Sequence, residues 1–107
     1  MSAERIRELN DAFRTTFRGG KVMLTAGVAE LPDCVKAEAL MQVANFKDFG
    51  EDNDPHGEHD FGSFDLVSRR FFWKIDYYSV DLKEGSPDPA DQAQTVRVLT
   101  LMLAEEY

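Results

Sequence analysis

Cysteine is almost missing from this sequence. Cys34 is the single thiol among 107 residues, so no intrachain disulfide can form. Such usage points to a reducing cytoplasm. Histidine is nearly as scarce: His56 and His59 stand alone, with no thiolate nearby to complete a zinc site. Basic residues are in deficit, 12 Lys and Arg against 20 Asp and Glu, for a formal charge of -8. That balance argues against direct nucleic-acid binding, which needs clustered cations, and against an anionic membrane surface. No apolar run approaches the roughly 18 residues of a membrane span. The start, Met1-Ser2-Ala3-Glu4-Arg5, lacks a basic-then-apolar leader. Catalytic signatures are absent too: no G-x-S-x-G, no phosphate-binding glycine loop, no C-x-x-C and no H-E-x-x-H. Asp60-Phe61-Gly62 matches the kinase magnesium tripeptide, but the chain is far too short for that fold.

What remains is the composition of one ordinary domain, residues 1–107, with 43% hydrophobic and 30% charged residues. Residues 3–17 read as an amphipathic helix, with Ile6, Leu9, Phe13 and Phe17 on one stripe, Ser2 as cap and Gly19-Gly20 as stop. Lys21–Thr25 reads as a short strand and Ala26–Glu30 as a connection. A second helix runs from Pro32, placed at its first position, to about Phe46, burying Val35, Ala39, Val43 and Phe46. Cys34 in its first turn reads as a packed or surface thiol.

Phe61–Val67 and Phe71–Tyr78 read as two strands joined at Ser68-Arg69, an antiparallel hairpin. Phe71, Trp73, Ile75 and Tyr77 alternate with Phe72, Lys74, Asp76 and Tyr78. Asp88-Pro89-Ala90-Asp91 has the form of a helix start, and the apolar run to about Glu105 predicts a last helix, buried centrally or at a homodimer interface. The order expected is α-β-α-β-β-α: an α+β domain, its helices packed on a small antiparallel sheet.

Residues Lys47–Asp60 form the most unusual stretch, with six carboxylates, two histidines, two glycines and a proline. It is long for a connection. The spacing of Asp52, Asp54 and Gly57 echoes a calcium loop, but His56 replaces an oxygen ligand and Ser63 stands where a bidentate Glu belongs. Asp52, Asp54, His56, Glu58, His59 and Asp60 are the candidate ligands if a divalent cation binds; no other cofactor is expected. His59 and Asp60, set against Lys74, Asp76 and Tyr78, make a candidate acid–base group. The bland alternative is the wet face of a half-buried sheet.

Four blocks carry a family resemblance: Gly20–Val28, Asp52–Gly62, Phe72–Tyr78 and Gly85–Asp91. Together with the ending Leu103–Tyr107 they resemble a small bacterial family, the domain of unknown function numbered 3768. The resemblance implies a compact bacterial cytoplasmic protein and lends no activity, cofactor or site residue.

The leading expectation is a non-enzymatic binding module. Its acidic segment and hairpin aromatics, Glu51, Asp52, Asp54, Phe72 and Tyr78, would contact a protein partner, a basic one by charge. A sharper form is a nucleic-acid mimic, whose spaced carboxylates imitate phosphates before Arg and Lys. The alternative is a small metal-dependent or acid–base enzyme built on Glu58-His59-Asp60 and the Lys74/Asp76/Tyr78 strand face.

Overall fold

The computed structural model describes residues 2–107. Helix α1 spans Ala3–Thr16; Ser2 Oγ accepts the Arg5 backbone N–H at 3.0 Å, and Phe17 ends it in a left-handed turn at φ 58°. Its buried face is Ile6, Leu9, Asn10, Phe13 and Arg14, so two polar residues share the apolar stripe. Strand β1 is Gly20–Leu24, and the expected connection after it contains a short helix, α2, Ala26–Ala29. Helix α3 runs Asp33–Ala44, with Pro32 as its cap rather than its first residue, and Cys34 is exposed.

The hairpin forms as the alternation predicts. Strand β2, Phe61–Leu66, pairs antiparallel with β3, Arg69–Tyr78, with Leu66 facing Arg69. The turn is therefore Val67-Ser68, one residue earlier than expected, with φ of 49° and 62°. That is a two-residue turn of the kind whose twist matches hairpin strands.

The last element corrects the sequence reading. Val96–Leu103 is not a helix but strand β4, preceded by a 3-10 turn at Gln92–Gln94. The Asp88-Pro89-Ala90-Asp91 signal caps turns instead: Asp88 Oδ1 accepts the Ala90 N–H at 3.2 Å and Asp91 Oδ1 the Ala93 N–H at 2.9 Å. The apolar-all-round run is that of a central strand, paired along both edges by β1 and β3, and a short run of this kind does not distinguish strand from buried helix by period. The segment therefore offers no helix for the homodimer interface expected of it.

The sheet order is β1-β4-β3-β2, and β1 pairs parallel with β4, so the sheet is mixed rather than antiparallel. All three helices pack on one face. There Phe71, Trp73 and Ile75 of β3 and Leu99, Leu101 and Leu103 of β4 meet Phe13, Val28, Ala39 and Val43 in the core. Each fully buried aromatic or leucine there contributes about 1.5–3 kcal/mol of transfer free energy. The opposite face carries Lys21, Met23, Lys74, Asp76, Tyr78, Val96, Val98 and Thr100, all partly or fully exposed. Among the described residues no helix is long and apolar enough to cross a membrane.

Candidate functional site

A polar network runs through the helical side of the sheet. Arg97 alternates with Leu99 and Leu101 on β4, so it points into the core, where it is 2% exposed. Its Nε donates to Asn10 Oδ1 at 2.7 Å and its Nη2 to the Pro89 carbonyl. Asn10 Nδ2 donates to the Glu58 carbonyl at 2.9 Å and the Tyr77 hydroxyl at 2.7 Å. The Tyr77 hydroxyl in turn donates to Glu58 Oε1 at 2.9 Å. Burial raises the Tyr77 pKa far above its ordinary value and lowers that of Arg97. The facing Asp60 and Glu58 carboxylates raise Tyr77 further, against the opposing Asn10 bond.

The acidic segment folds onto this network. Asp54 Oδ1 accepts the backbone N–H groups of Glu58 and His59, both at 3.0 Å. Asp54 is thereby turned inward, its side chain 6% exposed. His59 adopts the left-handed region at φ 55°. Its Nδ1 lies 3.0 Å from both Asp11 carboxylate oxygens, its Nε2 is 3.7 Å from Asp54 Oδ2, and its ring stacks on Phe49 at 3.8 Å. Asp60 is half-buried. Burial raises its pKa above the usual carboxylate range, and the neighbouring Glu58 and Asp54 charges add to that.

Arg14 completes this side. Its Nη1 donates to the Val43, Ala44 and Phe46 carbonyls at 2.7, 3.4 and 3.0 Å, capping the end of α3, and its Nη2 pairs with Asp11 at 2.9 Å. Beside it, Asp11, Arg14, Thr15, Ala44, Phe46, Lys47, Phe49 and His59 line a cleft of about 310 Å³.

The candidate metal ligands do not converge. Among the described residues no three His, Cys, Asp or Glu side chains form a metal-ligating group. Asp11 and Asp54 face opposite ring nitrogens of His59, so the two carboxylates and the imidazole cannot share one ion. Asp52 and His56 are exposed, while Glu58 is turned to Tyr77.

The acid–base candidates are likewise divided by the sheet. His59 and Asp60 lie on the helical side. Lys74, Asp76 and Tyr78 lie on the bare face, where Lys74 Nζ pairs with Asp76 Oδ2 at 3.1 Å. Of the groups that meet the His59 ring, Asp54 was among the sequence candidates, while Asp11 and Phe49 were not.

The expected contact residues also separate. Glu51 and Asp52 are exposed in the acidic segment, but Asp54 is internal. Phe72 is half-covered by Phe61 and Tyr107, at ring distances of 5.4 and 5.3 Å. Tyr78 stands at an apolar groove of about 320 Å³ lined by Lys21, Met23, Tyr78, Leu82 and Val98.

Fold and site together define a small α+β domain: a mixed four-stranded sheet with helices on one face, a polar network beneath them and a bare second face. The chain belongs to the family described as Protein of unknown function (DUF3768), whose pattern covers residues 24–106. Asn10, Asp11 and Arg14 lie before that span. No curated protein and no solved structure matches the chain.

Proposed function

We propose that this protein is a binding module that docks a basic protein partner on the bare face of its sheet. The observation that carries the reading is the apolar groove there: Met23 is 54% exposed and Leu82 46%, beside Tyr78 and Val98. Exposed apolar side chains gathered on one face mark contact surfaces more often than scattered ones do. The charge of -8 selects the partner's sign, because two copies of this chain repel each other while a basic protein is attracted.

The nucleic-acid mimic gains no support from the acidic segment. Asp54 and Glu58 are engaged internally and Asp60 is half-buried, leaving Asp48, Glu51 and Asp52 as its exposed carboxylates. Nor does the bare face supply acid–base chemistry, since Asp76 is paired with Lys74 and no histidine lies there.

The test is photo-crosslinking in cells that make the protein, with benzoylphenylalanine at Met23 and, as control, at exposed Ala37 of α3. The expected result is a crosslinked basic protein from Met23 and not from Ala37. Crosslinks from Met23 to a second copy alone, or equal products from both positions, overturn the reading.

A further inference from the structure

We infer that the cleft between α1 and the 45–49 segment binds a small organic monocarboxylate with an apolar body. This site is separate from the bare sheet face. Its walls are Phe46, Phe49 and Ala44, and its volume of about 310 Å³ suits a ring-sized group.

The charge inventory of the cleft sets the ligand's sign. Of the acids bordering it, Asp11 is held by Arg14 at 2.9 Å and by His59 at 3.0 Å. Asp54, behind His59, is held by two backbone N–H groups. Arg14 is engaged with Asp11 and with the α3 carbonyls. Those carbonyls are the negative end of a helix and would otherwise repel an anion. Thr15 donates its hydroxyl proton to the Asp11 carbonyl at 2.7 Å. Lys47 is left as the charged group lining the cleft that has no ion-pair partner among the described residues. A cleft with apolar walls and one lysine without an ion-pair partner recognises one carboxylate attached to an apolar body.

Benzoate is the probe and benzyl alcohol its neutral counterpart, titrated into the 15N-labelled protein and followed by amide NMR shifts. A ligand of this size reaches a dissociation constant on the order of 1 mM. Benzoate is expected to move the amides of Thr15, Lys47, Phe49 and His59. Benzyl alcohol should bind about tenfold or more weakly, the worth of a charge-assisted contact. Lys47→Ala, at an exposed position outside the core, should weaken benzoate by a similar factor while leaving the melting temperature unchanged. The inference is overturned if benzoate moves nothing up to about 50 mM, fifty times that constant. It is equally overturned if the shifts map elsewhere, if both probes bind alike, or if Lys47→Ala binds benzoate as the parent does.

Discussion

Replacing Asn10 with alanine removes the hub of the internal network. Asn10 is fully buried and makes three hydrogen bonds: to Arg97 Nε at 2.7 Å, to the Glu58 carbonyl at 2.9 Å and to the Tyr77 hydroxyl at 2.7 Å. Tyr77 keeps its bond to Glu58, so its loss is small. Arg97 loses the acceptor of its Nε inside the core, a charge-assisted bond worth about 1.5–3 kcal/mol. The stranded Glu58 carbonyl adds about 1 kcal/mol. The expected destabilisation is therefore about 2.5–4 kcal/mol, a large part of the 5–15 kcal/mol that holds a domain together. Urea unfolding followed by far-UV circular dichroism should show the midpoint falling by about 2 M, taking a slope of roughly 1.5–2 kcal/mol/M. Asn10→Asp should also destabilise: it keeps an acceptor for Arg97 but sets a carboxylate against the Glu58 carbonyl. If Asn10→Ala costs less than about 1 kcal/mol, the network does not hold the acidic segment to α1 in the way described.

Gly62→Ala places a Cβ 2.5 Å from Trp73 Nε1 and 2.8 Å from Phe46 Cζ. Overpacking of this kind costs about 1–3 kcal/mol, and both the melting temperature and tryptophan fluorescence should register it. Val67 is a β-branched residue at φ 49° in the hairpin turn. Val67→Asn with Ser68→Gly should stabilise by about 1 kcal/mol in chemical unfolding, and a loss would contradict the turn assignment. Asp60 has a folded-state pKa above its unfolded value, chiefly through burial. Its contribution is complete below the unfolded pKa of about 3.9 and is lost as pH rises through the folded value. Asp60→Asn should accordingly raise the melting temperature at pH 7, with the gain shrinking toward pH 3; a gain independent of pH contradicts the burial argument. Calcium, magnesium, manganese and zinc, added in turn after EDTA, should leave the melting temperature unchanged, since Asp54 and His59 are engaged with protein groups. A selective shift lost in Asp54→Asn would show a metal site after all.

The hairpin was legible because its alternation is strict and local: Phe71, Trp73, Ile75 and Tyr77 face one way. Strand β4 was not, because Val96–Leu103 is apolar on both faces and an Asp-Pro helix signal precedes it. Its β-branched Val96, Val98 and Thr100 at alternate positions were the available signal for a strand. The sequence marked His59 and Asp60 as unusual but could not supply Asp11, which is 48 positions away. Asn10 and Arg14 were findable in principle. They fall at the spacing of Ile6 along α1, polar residues on a stripe that otherwise enters the core. Arg97 stands out in the same way among the leucines of β4. A parallel β1–β4 pair depends on a crossover more than 70 residues long, which no local pattern reports.

The central claim is that a protein partner docks on the bare side of the sheet, away from the polar network and the cleft of the helical side. It is tested most directly by the yield of the Met23 crosslink in a chain carrying Leu82→Asp. A charge placed in the groove should cut that yield at least about tenfold, a loss of about 1.4 kcal/mol in partner binding. The melting temperature should stay within about 2–4 °C, as for other surface substitutions. An unchanged yield in a chain that melts normally would contradict the claim.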